Sequence, residues 1–256
     1  MSRRYDSRTT IFSPEGRLYQ VEYAMEAINH AGAAIGIVTP EGVVLATEKK
    51  VTSKLLDQTN SQEKIYRVDE RVAVAVAGFT ADANTLVTTL QSLAQQHYLD
   101  YGENVPVEVL VSTLASHKQA YTQYGGLRPF GVSILYAGWD ESRGFQLYLT
   151  DPSGNYGGWQ ATAIGGNASN AKALLKTDYR PDMTLAEAIS LVIKIVGKTA
   201  DNSAMSADRL EFATVTRSKR TGDVVFRAYT APEVNALLKK EGVLSELAED
   251  EDPAGL

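Results

Sequence analysis

Three histidines and one glycine-rich turn are the residues that most resemble parts of a chemical site. His30, His97 and His117 are widely spaced, and no carboxylate stands at metal-ligand spacing from them. Each is therefore interpreted as a surface or packed helix residue. Residues 165–167 (Gly-Gly-Asn) precede a predicted helix and could present amides to a phosphate, but they lack the Lys-Ser/Thr ending of a P-loop and the spacing of a dinucleotide motif. A strand-to-helix turn is the favoured interpretation, and the sequence predicts neither a metal nor a cofactor.

Composition excludes further classes of chemistry. The 256 residues include no cysteine, so disulfides, thiolate zinc sites and a cysteine nucleophile are excluded. The net charge of −6 gives no attraction for nucleic acid or for an anionic membrane surface. The sequence contains no secretory segment and no apolar run of membrane length. We therefore expect an intracellular, soluble protein without nucleic-acid or membrane partners.

The segment from Arg4 to Ala24 places a polar arm and a proline turn before the first helix. Ser13 can cap a helix with its hydroxyl, and Pro14 fixes its own φ for a turn or a first helical position. The apolar residues that follow share one helical stripe: Leu18, Val21, Met25 and Ile28. The pattern predicts an arm that a proline turn connects to a docking helix, and an ordinary frayed terminus is the alternative.

Short apolar runs after this helix predict strands arranged around pairs of helices. Two hairpins come early, a helix pair spans Ala81 to about Tyr121, and further strands lie between Gly131 and Ile164. In that second set, Tyr156 to Ile164 is predicted as one strand, after which Asn167 caps a helix that reaches Lys176. A further helix, two strands and a last short helix close the chain. This order predicts an α+β fold of stacked antiparallel sheets covered by helices.

No linker divides the chain, so one domain is favoured over two. We expect a tail over residues 1–13, one domain over residues 14–241 and an acidic tail over residues 242–256. The last segment has too little apolar content to fold alone, and a solvated tail is favoured over a segment with a specific partner.

Four stretches of the sequence resemble the alpha subunits of the 20S proteasome. They are Arg4 to Ala24, Ser61 to Tyr66, Tyr121 to Ser133 and Asp151 to Tyr156. The resemblance runs from Arg3 to about Ala231 and implies the four-layer αββα sandwich of N-terminal nucleophile hydrolases. Two antiparallel sheets form that sandwich, and the segment before Ala33 is the extra N-terminal helix typical of alpha subunits.

Catalytic relatives of this fold carry an N-terminal threonine, an acidic residue and a lysine. Placed on this chain, that pattern assigns Glu48 to the acidic position and Lys64 to the lysine position, but Gly32 to the threonine position. Glycine has no oxygen to attack a carbonyl, and the preceding segment removes the free α-amine that would act as the base. Ser2 is an alternative nucleophile, but no base is visibly placed beside it. The resemblance therefore implies no catalytic residue.

The resemblance gives Lys64 another role. In the family the matching lysine lines a pocket between neighbouring alpha subunits and receives the C-terminal carboxylate of an activator chain. A flexible ammonium suits one carboxylate as a point charge. A surface salt bridge with Glu63 or Asp57 is the alternative.

The resemblance also implies a gate at the ring axis and a turn that narrows the pore beneath it. The gate residues are Tyr5, Asp6, Ser7, Arg8, Pro14 and Tyr23. The usual family motif is Tyr-Asp-Arg. Ser7 departs from this motif at the arginine position, and Arg8 stands one place later. The pore turn comprises Tyr124, Gly125, Gly126 and Leu127, for which an ordinary helix-to-strand turn is the alternative.

The resemblance implies a non-catalytic alpha-ring subunit that scaffolds assembly, gates substrate passage and helps to dock activators for protein degradation, including the ubiquitin- and ATP-dependent route. The implied partners are neighbouring alpha subunits, beta-ring subunits, C-terminal tails of regulatory particles or activators, and unfolded polypeptide in transit. The implied location is the cytoplasm and the nucleus. A stand-alone N-terminal nucleophile amidohydrolase and a free-standing peptide-binding or chaperone module are the alternatives.

Overall fold

Two antiparallel sheets of five strands each form the centre of the fold. The computed structural model describes residue 8, residues 10–49, residue 55, residues 64–199 and residues 209–243. In chain order its elements are α1 (Tyr19–Asn29), β1 (Ala34–Thr39), β2 (Gly42–Glu48), β3 (Ile65–Arg67), β4 (Val72–Gly78), α2 (Thr80–Tyr101), α3 (Val107–Gln123), β5 (Val132–Asp140), β6 (Gly144–Thr150), β7 (Tyr156–Gly158), β8 (Ala161–Ile164), α4 (Ala168–Asp178), α5 (Leu185–Thr199), β9 (Leu210–Arg217), β10 (Val224–Ala228) and α6 (Ala231–Lys240).

The two sheets differ in how their strands follow one another. The first sheet has the strand order β10-β9-β2-β1-β8, and the second sheet has the order β3-β4-β5-β6-β7. The two early hairpins that the turn residues predict are confirmed as β1–β2 and β3–β4. Their registers place Ala34 opposite Thr47 and Ile65 opposite Ala75. The second sheet is thus a simple meander, whereas the first sheet combines strands from both ends of the chain.

Three layers of buried apolar side chains separate the sheets and helices. One layer, which includes Val192, lies between the first sheet and α4, α5 and α6. A second, which includes Leu90, lies between the second sheet and the pair α2 and α3. The third fills the space between the sheets, where Leu45 and Leu147 are almost completely buried. Each such leucine contributes about 1.5–3 kcal/mol through removal of its side chain from water. The four-layer αββα sandwich is therefore confirmed.

Helix α1 closes one end of the space between the sheets. Of its apolar stripe, Val21 and Ile28 are buried, and Ile28 belongs to the apolar layer between the two sheets. Met25 lies on the predicted stripe but is exposed. The extra N-terminal helix is confirmed, and its packing anchors the N-terminal part of the chain to the inter-sheet core.

Ser13 does not cap this helix. Helix α1 begins at Tyr19 with Leu18 at the N-cap and no side-chain cap bond. The hydroxyl of Ser13 instead accepts the backbone N–H of Arg17 at 3.1 Å, and the backbone N–H of Ser13 donates to the Arg17 carbonyl at 2.9 Å. A serine hydroxyl that can bond a nearby backbone group favours such a local turn over a helix start. The proline turn is therefore a closed unit that ends before the helix begins.

The segment predicted as one strand from Tyr156 to Ile164 is two strands in different sheets. β7 pairs with β6 in the second sheet, and β8 pairs with β1 in the first sheet. Between them, the Trp159 N–H donates to the Leu147 carbonyl at 2.8 Å and the Gln160 carbonyl accepts the Val38 N–H at 2.8 Å. The chain therefore crosses from one sheet to the other within two residues. Local apolar pattern cannot show this change, because it does not reveal which distant strand is the partner.

Asn167 marks the start of a helix but does not cap it with its side chain. Helix α4 begins at the next residue, while Asn167 itself adopts φ +55° and makes no side-chain cap bond. Its side-chain amide donates to the carbonyl of Thr199 at 2.9 Å. The predicted boundary is confirmed, but the predicted capping contact is wrong, because a capping N-cap residue typically has extended backbone, whereas Asn167 is left-handed.

Candidate functional site

Backbone atoms fill the space at the position that matches the catalytic threonine. Gly32 lies between α1 and β1, and the Lys64 ammonium donates to the carbonyls of Gly32 and Glu48 at 2.8 Å each. A third carbonyl, that of Ala33, lies 3.5 Å from the same nitrogen. A Cβ added to Gly32 would overlap the Glu48 carbonyl oxygen and would stand 3.0 Å from Lys64 Nζ. This cradle, defined as Gly32, Ala33, Glu48 and Lys64, has no room for a side chain on Gly32.

Lys64 contacts Glu48, the residue placed at the acidic position of the catalytic pattern, through the main chain of Glu48 and not through its carboxylate. The contact joins the Lys64 ammonium to the main-chain carbonyl of Glu48. Through these carbonyls the Lys64 ammonium links the two residues before β1 to the end of β2 and to the segment leading into β3. Glu63 and Asp57, the alternative partners predicted for Lys64, lie outside the described residues.

Glu211 holds the backbone beside this cradle, and sequence reasoning missed it. Its Oε2 accepts the backbone N–H of Lys64 at 2.8 Å and that of Ile65 at 3.0 Å. Its Oε1 lies 2.6 Å from the Lys49 ammonium. A carboxylate that joins two amides and a cation ties β9 to the start of β3 across the sheets. The available signal was the one acidic residue of the strand, which stands between the apolar Leu210 and Phe212.

The turn of residues 165–167 closes against the same region. The Gly166 N–H donates to the Ala31 carbonyl at 2.9 Å, immediately before the cradle. This amide serves the fold rather than an external anion. The structure supports the strand-to-helix interpretation of the turn.

The gate residues are only partly within the described part of the chain. Tyr5, Asp6 and Ser7 lie outside it, whereas Pro14 sits in the closed turn before α1. Tyr23 is exposed, and its ring stacks on that of Tyr19 with centroids 6.3 Å apart. The structure therefore describes the base of the predicted gate but not its tip.

Arg8 and the predicted pore turn line one cavity. Thr10, Gln20 and Arg128 complete its lining, together with Gly125, Gly126 and Leu127, and its volume is about 640 Å³. Tyr124 and Leu127 are 64% and 51% exposed, so the turn projects its larger side chains into solvent. Arg8 and Thr10 thus lie close to the turn that follows α3.

Asp82 anchors the residue that follows the pore turn, and sequence reasoning missed this contact. Its carboxylate accepts two hydrogen bonds from the guanidinium of Arg128, at 2.7 and 2.8 Å, and one from the backbone N–H of Gly131 at 2.9 Å. The hydrogen bonds from Arg128 hold the pKa of Asp82 below its ordinary value and outweigh the opposing effect of burial. Asp82 and Arg128 are 46 residues apart in the sequence, and an aspartate and an arginine at that separation form no recognisable motif.

Two of the histidines have packing roles. The His97 ring lies 4.7 Å from that of Tyr101, and the His117 ring lies between Tyr121 and Phe130 with centroid distances of 5.3 and 5.7 Å. Within the described ranges, histidine, aspartate and glutamate form no group of three or more that could hold a metal ion. Across the same described residues, no helix has both the length and the apolar character needed to cross a membrane.

Comparison with known proteins agrees with the fold. The family described as proteasome subunit matches residues 28–215, and the N-terminal signature of A-type proteasome subunits matches residues 5–27. Proteasome subunit alpha type-3 of Saccharomyces cerevisiae is 54% identical over 251 residues, which cover 98% of this chain and 96% of the relative. Proteasome subunit alpha type-4 of Spinacia oleracea is 55% identical over 249 residues, covering 97% of this chain and 99% of the relative. The chain therefore belongs to the proteasome subunit family, and within it to the alpha-type subunits.

Proposed function

We propose that this chain is a non-catalytic subunit of the alpha ring of the 20S proteasome, where it scaffolds assembly and helps to control the passage of unfolded polypeptides. The observation that carries the proposal is the cradle around Gly32 in a chain that matches alpha subunits over nearly its whole length. A threonine at this position would place its Cβ against a backbone carbonyl. The chain therefore lacks both the nucleophile and the space for one.

The place of α1 also argues against a stand-alone amidohydrolase. An N-terminal nucleophile uses its own α-amine as the base, so the chain must begin at that residue. Here α1 precedes β1, and Ile28 is built into the core between the sheets. Removal of this segment would take Ile28 out of that core and expose the apolar side chains packed around it. The cleavage belongs to other subunits of the particle.

Exposed apolar side chains support a role in assembly. Tyr98, Leu99 and Tyr101 lie together at the end of α2, and Leu99 is 78% exposed. Grouped apolar side chains of this kind are typical of surfaces that other subunits cover. We expect neighbouring alpha subunits and beta-ring subunits to be the partners of such surfaces.

The first test is the native mass and subunit composition of the complex that copurifies with the tagged chain from its own cells. We expect a large particle that contains distinct alpha and beta chains. A monomer or a simple homodimer would contradict the proposal and would favour the hydrolase or the free-standing binding module.

The arm before the proline turn is proposed to act as part of the gate. The arrangement of Arg8 and the pore turn around one cavity supports this role, because it places a residue of the arm beside the predicted constriction. Deletion of residues 2–12 leaves the hydrogen-bonded turn at Ser13 in place. We expect this deletion to raise basal peptide hydrolysis by the complete particle, while the rate with saturating activator stays the same. An unchanged basal rate in a particle of confirmed composition would contradict an inhibitory arm.

Lys64 is proposed to receive the C-terminal carboxylate of an activator chain. The carbonyls of the cradle fix the position of its ammonium, and a fixed positive charge suits a single incoming carboxylate. Lys64→Ala should weaken activator docking in this pocket, whereas Lys176→Ala on the exposed face of α4 should not. Incorporation into particles is measured in parallel, since the Lys64 ammonium also links the residues before β1 to the end of β2. Normal activator affinity with this pocket isolated would refute the anchor role.

The proposed location of the chain is the cytoplasm and the nucleus, as for the family. Cell fractionation with detection of the tagged chain tests this location. Recovery of the chain from an organelle lumen alone would overturn it.

A further inference from the structure

The pore turn of residues 124–127 is held firmly at both ends. On the α3 side, the Tyr124 N–H donates to the Ala120 carbonyl at 3.0 Å and continues the helix. On the other side, Arg128 is bound to α2 through Asp82. Among the described residues, no other heavy atom lies within 4 Å of the position that a Cβ on Gly125 or Gly126 would take. The turn is therefore a short segment that its two fixed ends position.

The two side chains of the anchor on the α2 side, Arg128 and Asp82, differ strongly in their exposure to solvent. The side chain of Arg128 is 63% exposed, but that of Asp82 is only 10% exposed. The buried carboxylate fixes the guanidinium in a bidentate geometry, and the same guanidinium donates to the Pro129 carbonyl at 3.0 Å. A planar bidentate pair defines orientation as well as distance. Arg128 therefore has one orientation at the edge of the turn although water surrounds most of it.

A second contact fixes the backbone next to Arg128. The Gly131 N–H donates to the Asp82 carboxylate at 2.9 Å, and the Gly131 carbonyl accepts the Phe79 N–H at 2.9 Å. The N–H and the carbonyl of Gly131 are thus both bonded to residues at the start of α2. The position of α2 is transmitted to the turn through these bonds and the Arg128 pair.

We propose that Asp82 is a positioning residue that sets the width of the passage by holding Arg128 and the pore turn in one place. The inference rests on the proposed function, since it assumes that the turn lines the pore of the alpha ring. An amide at position 82 has no negative charge and can no longer accept both guanidinium bonds. The turn then gains freedom between Tyr124 and Gly131, and larger chains pass more easily.

The test compares two substrates in particles whose arm, residues 2–12, is deleted, so that the turn forms the constriction. One substrate is a fluorogenic tripeptide, and the other is an unfolded polypeptide such as reduced, alkylated casein. In Asp82→Asn particles the ratio of polypeptide to tripeptide degradation should rise at least about twofold, because the turn populates wider positions. Asp82→Glu retains the carboxylate and should restore much of the original ratio. Asp100→Asn, at the far end of α2, is the matched control and should leave the ratio unchanged.

Arg128→Gln provides a second variant that changes a largely exposed side chain and removes the same pair. Its effect on the ratio should equal that of Asp82→Asn, and the double variant should add nothing, because both changes break one interaction. An unchanged ratio in complete particles, or effects that add in the double variant, would overturn the role of Asp82. Absence of the unmodified chain from particles would instead overturn the proposed function, so the two failures are distinguishable.

Discussion

Replacement of Lys118 by methionine should abolish a pH dependence of stability that this chain is expected to show above neutral pH. The Lys118 side chain lies on α3 and is completely buried. Its ammonium nitrogen donates to the Val132 carbonyl at 2.9 Å and to Thr150 Oγ1 at 3.2 Å. Burial lowers the pKa of Lys118 from 10.5 to about 7, and the negative charge of Asp151 opposes that change only in part.

The magnitude follows from proton linkage. Between pH 7 and pH 10.5 the unfolded chain binds a proton at Lys118 that the folded chain does not. The free energy of unfolding therefore rises with pH, by about 1.4 kcal/mol per pH unit for one proton. Over the whole window the gain is on the order of 5 kcal/mol. Tyr136 has the opposite effect above its ordinary pKa of 10.0, because burial raises the pKa of its phenol. The useful range for the measurement therefore ends near pH 10.

The assay is urea unfolding of the purified chain at several pH values between about 7 and 9.5, with the midpoint and slope recorded at each. The unmodified chain should gain stability across this range. Lys118→Met should show little of that slope and should be the more stable of the two near pH 7, where the buried amine of the unmodified chain is costly. Lys176→Met, which changes an exposed lysine on α4, should keep the slope of the unmodified chain.

Equal slopes for the unmodified chain and for Lys118→Met would refute the reasoning. A loss of stability between pH 7 and pH 9.5 in the unmodified chain would refute it too, because a lowered lysine pKa can only give the opposite sign.

Two further predictions concern the cradle and its neighbour. Gly32→Ala should reduce the free energy of unfolding by about 2–4 kcal/mol and lower the melting temperature strongly, because the added Cβ overlaps the Glu48 carbonyl. The control Gly125→Ala, which stands in open space among the described residues, should be close to neutral. Equal melting temperatures for both variants would refute the close packing around Gly32. Glu211→Gln should cost about 1–3 kcal/mol in urea unfolding, because it weakens hydrogen bonds to a carboxylate. Glu15→Gln on the exposed proline turn is its control, and a similar small change in both would show that Glu211 is not a tie between β9 and β3.

Much of the fold could be predicted because its signals are local. The strand cores are apolar runs bounded by turn residues, so the first hairpins and the helix pair after β4 follow from the sequence. The packing of α1 could also be predicted from the sequence, because Val21 and Ile28 lie on one apolar stripe. The pairing partners of the strands could not be predicted in this way. The division of β7 from β8 depends on strands far away in the chain, as does the position of β9 beside β2.

The candidate site was predictable only where a motif carries it. Lys64 and the pore turn belong to stretches that resemble a family, and Gly32 followed from aligning the hairpins. Asp82 and Glu211 carry no such signal, because their partners are a distant guanidinium and backbone amides. Backbone amides are common to all residues except proline, so a contact with them leaves no pattern in the sequence.

The strand orders of the two sheets have a consequence for synthesis of the chain on the ribosome. All five strands of the second sheet lie between Ile65 and Gly158, and each pairs with the next in sequence. In the first sheet, one pairing partner of β2 is β9, which begins only at Leu210. Contacts of short sequence separation form sooner than distant ones, so the second sheet should assemble first. Until β9 emerges, the apolar strand β2 has an open edge, and this is the period in which the nascent chain most needs protection from aggregation.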